Sequence, residues 1–170
     1  MTALYAGIDP GKTGAVALVD EQGRCVGLHD CPTIKAGKKQ EFDPAGMAEL
    51  LAGRYLARIV LEKSQAMPAK LHGRRQGVSS TFQTGYGFGL WVGILAELRA
   101  PYDVTHPRTW QARMLRDVPS TDTKGRSLLR ARQLWPDQIG RLGKTKHGRS
   151  DALLMAEFAR LTAGRGSEAA

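Results

Sequence analysis

The feature that most constrains the fold is a set of three apolar segments near the start of the chain, separated by turns too short to hold a helix. Residues 3–8 (ALYAGI), 15–20 (AVALVD) and 25–31 (CVGLHDC) have the length and apolar content of strands. A glycine-containing turn (PGKTG) and a four-residue turn (EQGR) join them. Strands joined by such short turns run antiparallel. The sequence therefore predicts three hairpin-linked strands.

Beyond these strands the pattern changes to alternating helices and strands. The predicted strands are 56–62 and a short one within 101–107, and 35–41 is predicted to be a polar loop. Predicted helices are one from Asp43-Pro44 to about Gly53, one over 79–100 with a serine cap, one after Pro107, one over 123–135 that stops at Pro136, and one from near His147 onward.

This order of elements predicts an α/β fold. Three antiparallel strands followed by alternating helices and strands imply a mixed five-stranded sheet, in which the later strands are parallel, flanked by helices. We expect residues 1–164 to form a single domain and residues 165–170, a small polar tail, to be disordered.

The charge of the chain indicates a polyanionic partner. Lysine and arginine number 25 against 16 aspartate and glutamate residues, which gives a net charge of +9. An excess of this size favours nucleic acid as the partner, although a basic surface also serves solubility. No apolar run approaches the roughly 20 residues of a membrane span. The first residues do not have the pattern of a secretory signal, so we expect a cytoplasmic protein.

Three acidic residues, far apart in the sequence, stand where strands end or a helix begins. Asp9 follows the first strand, Glu62 ends an otherwise apolar strand, and Asp151 lies near the start of the last helix. Each has an ordinary structural explanation, such as a turn or a favourable helix dipole. Together they are expected at one edge of the sheet, where their mutual repulsion would be relieved by Mg²⁺ or Mn²⁺.

The residues around these acids resemble the acidic motifs of RuvC-type Holliday-junction resolvases, which have the RNase H-like fold. The matching segments are GIDPGKTG at 7–14, IVLEKSQAM around Glu62 and SDALLMA at 150–156, in the order of that family. The resemblance covers about residues 5–160. It implies a DNA endonuclease that cuts four-way junctions as a homodimer through the helix near 79–99 and leaves 5′-phosphate ends. It also implies two Mg²⁺ or Mn²⁺ ions held by Asp9, Glu62 and Asp151.

The sequence departs from this family at a fourth ligand, which usually lies three residues before the last aspartate. That position is Gly148 here, and His147 lies one residue earlier. Because positions three and four residues apart share a helix face, His147 is the candidate fourth catalytic and metal ligand. The alternative is that His147, or Lys146, contacts phosphate.

Basic residues flank the proposed acids at several places. We predict DNA contacts from the following: Lys12, Lys70, Arg74, Arg75, Lys124, Arg126, Arg130, Lys144, Lys146 and Arg149. In the loop after Glu62, Met67 or His72 is a candidate for insertion between bases. The aromatic residues of 86–91 are predicted to be core or dimer contacts.

Other functions remain open at this point. GIDPGKTG also resembles the phosphate loop of sugar kinases and actin-like ATPases, but 170 residues leave no room for their second domain. The alternatives retained are a related nuclease acting on RNA or RNA–DNA hybrid, and a non-catalytic junction-binding protein. The expected setting is a bacterial cell or a phage-infected one, and if the chain is cellular a branch-migration complex is a further expected partner.

Overall fold

The structure is a computed structural model that describes residues 2–64, 77–119, 123–143 and 147–163. Its strands are β1 (Leu4–Ile8), β2 (Ala15–Asp20), β3 (Cys25–Asp30), β4 (Thr33–Ala36), β5 (Lys39–Phe42), β6 (Leu56–Glu62) and β7 (Tyr102–Thr105). Its helices are α1 (Pro44–Glu49), α2 (Val78–Glu97), α3 (Pro107–Met114), α4 (Thr123–Leu134), α5 (Ile139–Leu142) and α6 (His147–Thr162). The predicted tail at 165–170 and the loop residues 65–76 lie outside the described residues.

Five of the strands form one mixed sheet in the order β3-β2-β1-β6-β7. The first three strands pair antiparallel, whereas β6 pairs parallel to β1 and β7 parallel to β6. This arrangement confirms the predicted fold class. Because β1 and β6 are parallel neighbours, their carboxyl ends lie side by side at one edge of the sheet.

The two faces of the sheet bury two different cores. Along β2, Ala15, Ala17 and Val19 contact a cluster that includes α6, while Val16 and Leu18 contact the cluster under α1 and α2. This division follows from the alternation of side chains along a strand. Both faces are apolar, so β2 is buried throughout its length. Helix α6 packs across the middle of the sheet, over β1, β2 and β6.

Some local predictions were wrong. The segment predicted to be a polar loop contains the β4–β5 hairpin, which is a separate two-stranded sheet. Asp43 caps α1 as expected, but that helix ends at Glu49 rather than near Gly53. Helix α2 does not have the predicted serine cap. Its N-cap residue is Gly77, and no side chain caps the helix. A 3-10 turn at Pro136–Gln138 and the short α5, which were not predicted, follow α4. Among the described helices, none is long and apolar enough to cross a membrane.

Candidate active site

Asp9 lies directly after β1, at the start of the glycine-containing turn that leads to β2. Its backbone N–H donates to the carbonyl of Ala15 at 3.0 Å, which continues the pairing of the two strands. One oxygen of its carboxylate accepts a hydrogen bond from the Gly11 backbone N–H at 3.3 Å. Burial nevertheless raises the pKa of Asp9, and the Gly11 bond opposes this only in part. The carboxylate is therefore held in a place that disfavours its charge.

Glu62 is the last residue of β6, and the parallel pairing puts it next to Asp9. The final pair of the register is Ile8 with Leu61, so Asp9 and Glu62 are the next residues of each strand. The indole N–H of Trp110, on α3, donates to Oε1 of Glu62 at 2.9 Å. Burial raises the pKa of Glu62 to about 7, and the charges of Asp9 and Asp151 add to this effect while the Trp110 bond opposes it.

Asp151 lies in the first turns of α6, which approaches β1 and the turn after it very closely. A Cβ atom at Gly7 would collide with the backbone of Ala152 and Ala156. A Cβ atom at Gly148 would lie 2.8 Å from the Cα of Gly14. Because glycine occupies these positions, the helix rests directly on the strand and turn, and this packing places Asp151 where its charge acts on Glu62.

His147 is the first residue of α6, as predicted. Its Nδ1 atom is buried and has no hydrogen-bond partner among the described residues. A buried ring nitrogen without a partner is costly, so it indicates a position that water or a cation would satisfy. A side chain at Gly148 would in addition meet the carbonyl oxygen of Thr13 at 2.7 Å. The glycine at position 148 therefore has a steric reason.

The described side chains are not arranged as a complete set of metal ligands. Among residues 2–64, 77–119, 123–143 and 147–163, no group of three or more histidine, cysteine, aspartate or glutamate side chains is placed to hold a metal ion. The donor set still fits a divalent cation chemically, since burial raises the pKa of Asp9 and Glu62 and nearby carboxylates raise that of Glu62 further, so a positive charge beside them would favour their charged forms.

Four of the residues predicted to contact DNA make bonds within the protein. Lys12 donates to Gln40 and Glu41. Arg126 and Arg130 donate to carbonyls at the end of α3 and just after it. Arg149 forms a two-bond ion pair with Asp30.

The other predicted DNA contacts lie outside the description. Lys70, Arg74, Arg75, Lys144 and Lys146 are not among the described residues, and only the backbone of Lys124 is described. DNA binding by all ten residues thus stays a prediction.

Sequence reasoning missed two parts of this site. Trp110 is fully buried and looked like an ordinary core residue of a short helix, so nothing in its sequence context pointed to Glu62. The contact of Gly148 with the turn at Gly14 was also missed. The glycine at a ligand position was a usable signal, because glycine commonly marks a close approach of two backbones.

Comparisons with known proteins bear on the fold. No model of a known protein family matches the sequence, and no curated protein sequence matches it. The structure of Thermus thermophilus RuvC in complex with a Holliday junction substrate is similar to this chain, with a TM-score of 0.61 and 16% identity over 96% of this chain and 97% of that one. A second Thermus thermophilus RuvC structure gives a TM-score of 0.58 and 14% identity over the same shares. The five-stranded mixed sheet and its helices thus match the RNase H-like fold of RuvC.

Proposed function

We propose that this protein is a metal-dependent endonuclease that cuts four-way DNA junctions. The observation that carries the proposal is the perturbed carboxylate of Glu62: burial raises its pKa to about 7, and the charges of Asp9 and Asp151, which come from distant parts of the sequence, add to this rise. The similarity to RuvC structures and the net charge of +9 support it. Perturbed carboxylates gathered in this way are typical of functional sites.

The residues proposed to hold two Mg²⁺ or Mn²⁺ ions are Asp9, Glu62, Asp151 and His147. When bound, such ions stabilise the attacking and leaving oxygens of a phosphodiester. The protein contributes the positions of the donors: Gly11 orients Asp9, Trp110 orients Glu62, and the packing of α6 positions the other two. The proposed reaction is in-line attack by water that leaves 5′-phosphate and 3′-hydroxyl ends.

The proposed assembly is a homodimer on junction DNA. A four-way junction has two-fold symmetry, so a symmetric dimer presents two sites to opposed strands. A branch-migration complex is a further proposed partner if the chain is cellular. The proposed location is the cytoplasm of a bacterial or phage-infected cell.

The test is a substrate panel. Four-way junction, linear duplex and RNA–DNA hybrid are incubated with Mg²⁺ or with Mn²⁺, and the same reactions are run with Asp9→Asn, Glu62→Gln and Asp151→Asn. We expect paired cuts in the junction by the wild type, loss of cleavage by at least about 100-fold in each variant, and junction binding that persists, since affinity comes mainly from basic contacts. Faster cutting of the hybrid than of the junction would contradict the proposed substrate.

A non-catalytic junction-binding protein is the second candidate. It is favoured by one observation, namely that Gly148 stands where RuvC-type resolvases usually have a fourth ligand. If the protein binds the junction but cleaves it with neither Mg²⁺ nor Mn²⁺, the result would support this second candidate.

A further inference from the structure

We infer that the β4–β5 hairpin is an arm that binds the phosphate backbone of duplex DNA beside the active site. The inference rests on the proposed function only for the identity of the polyanion. It concerns three lysines at the tip of the hairpin, Lys35, Lys38 and Lys39, for which a role as an arm was not predicted.

The positive charges at the tip are not neutralised by other residues of the described part of the chain. All three lysines are exposed, and none of their ammonium groups forms a hydrogen bond or ion pair with another residue of the described part of the chain. Many described arginines differ, because they donate to carbonyls or carboxylates of their own fold, as Arg126 and Arg149 do. The segment 35–39 contains no acidic residue. It therefore concentrates three uncompensated positive charges within five residues.

The hairpin presents these charges in more than one direction. Ala36 pairs with Lys39 and Lys35 pairs with Gln40. Paired residues share a face and neighbours along a strand alternate, so Lys35 and Lys39 lie on opposite faces. Gly37 has a positive φ of 62° at the first position of the two-residue turn, which suits a tight hairpin turn. Lys38 completes the turn, so positive charge surrounds the tip.

The base of the hairpin is fixed to the turn that carries Asp9. The Lys12 ammonium donates to the Gln40 carbonyl at 2.7 Å and to Glu41 at 3.1 Å, and it lies 5.5 Å from the centre of the Phe42 ring. The Phe42 ring is buried, and a Cβ atom at Gly87 of α2 would collide with it. A two-stranded hairpin is only marginally stable by itself. These contacts therefore hold the hairpin in a defined position relative to the active site.

The length of the hairpin and the spacing of its lysines suit contact with the phosphates of a DNA backbone. Strand residues rise about 3.3 Å each, so the tip lies roughly 10 Å beyond Phe42. Phosphates along one DNA strand are spaced about 3.4 Å along the helix axis, so three lysines span roughly two or three of them. The chemistry is contact with phosphate rather than with bases, because lysine ammonium groups on a flexible stem act as point charges.

The test compares two variants that lose the same charge. In the arm variant, Lys35, Lys38 and Lys39 are all changed to Gln. The control variant changes three other exposed side chains to Gln, namely Arg99, Arg108 and Arg116, which form no side-chain hydrogen bond with the described residues. Binding to linear duplex and to four-way junction is measured in EDTA from 50 to 300 mM salt, so no cleavage interferes. Cleavage in Mg²⁺ and Mn²⁺ is measured separately.

We expect the arm variant to bind both DNAs at least about 10-fold more weakly at low salt, with a salt-dependence slope that is smaller by about 2 to 3. The control variant should change the slope by less than about 1, and replacing the three lysines with Arg should preserve binding. Equal losses in the arm and control variants would overturn the inference, as would a wild type that binds no DNA. A wild type that binds DNA through the arm but cuts nothing would overturn the nuclease function alone.

Discussion

Glu62 shows how a single residue in this site depends on its neighbours. Its pKa of about 7 results from burial and from two nearby carboxylates, and the Trp110 indole N–H is the group that opposes this rise. A carboxylate must lose its proton before it binds a cation. Trp110 therefore favours the charged form of Glu62, and its own role is to position that carboxylate.

Removal of the indole donor should change the pH dependence of cleavage. We expect Trp110→Phe to raise the Glu62 pKa further, so that the pH of half-maximal activity at subsaturating Mn²⁺ moves up by about one unit. Activity should fall most below pH 7, where Glu62 is protonated, and recover partly as the pH rises. The measurement is the initial cleavage rate from pH 6 to 9.

A second buried tryptophan provides the matched control. Trp135 donates its indole N–H to the Gly23 carbonyl at 2.8 Å, and Gly23 lies in the turn between β2 and β3. Trp135→Phe should cost a similar free energy of unfolding, about 1–3 kcal/mol, but leave the pH profile in place. An identical shift in both variants would show that Trp110 acts only through stability.

His147 is expected to set the choice of metal. Its buried Nδ1 atom has no partner among the described residues. An imidazole ligand suits Mn²⁺ better than Mg²⁺, which prefers oxygen donors and holds its water tightly. We expect His147→Ala to weaken Mn²⁺-supported cleavage and His147→Asp to shift the preference toward Mg²⁺, as measured by metal titration. An unchanged ratio of the two activities in both variants would leave His147 as a phosphate contact.

At the scale of elements, the site depends on how closely α6 rests on β1 and the turn after it. Two close approaches at glycine, Gly7 with the helix backbone and Gly148 with Gly14, leave no space for a Cβ atom. The ion pair of Arg149 with Asp30 joins the first turn of the same helix to the end of β3, at 2.6 and 2.9 Å. The position of α6 is therefore determined at its first turn, where the candidate ligands lie.

Side chains at position 148 should displace this helix. We expect Gly148→Ala to lose about 1–3 kcal/mol of unfolding free energy through overpacking, and to lose cleavage as Asp151 moves away. Gly148→Asp, which introduces a carboxylate where RuvC-type resolvases usually have a fourth ligand, should fail for the same reason. The measurements are thermal unfolding and cleavage rate. Gly140→Ala, on α5 with nothing within 4 Å, is the control and should be neutral or gain up to about 1 kcal/mol. A more active Gly148→Asp variant would contradict the steric argument.

At the scale of the whole molecule, one face of α2 is exposed among the residues that the structure describes. Val78 is 89% exposed and Phe82 is 67% exposed. A Cβ atom at Gly85, Gly89 or Gly93 would meet no atom of the described residues within 4 Å. These positions share a helix face, and helix-interior glycines that serve no packing within the described chain suit the close approach of a second helix backbone. The buried side of α2 contains Trp91 and Leu95 instead.

This face should form the proposed homodimer. We expect light scattering to give about twice the chain mass of 18.5 kDa for the wild type. Phe82→Glu should return the mass to that of a single chain, because it puts a charge into an apolar interface. Leu134→Glu, which changes a 43% exposed leucine on α4, should leave the dimer intact. A monomeric wild type at concentrations that cut junctions would contradict the prediction.

The sequence by itself determined the sheet and the placement of two of its acids. Apolar runs, short turns, the N-cap Asp43 and the helix-starting Pro107 are local signals, so they predicted the five strands of the main sheet and most helices. Parallel pairing of β1 and β6 then follows from their order, and it puts Asp9 beside Glu62. The start of α6 at His147 was also correctly predicted.

The tertiary structure decided what depends on contacts between distant residues. The β4–β5 hairpin has no apolar pattern of its own, and Lys12 and Phe42 hold its base. Trp110 acquires its role only when α3 packs beside the end of β6. The roles of Trp110, the β4–β5 hairpin and Gly148 all depend on contacts with residues distant in the sequence. A short window of sequence contains no information on such contacts.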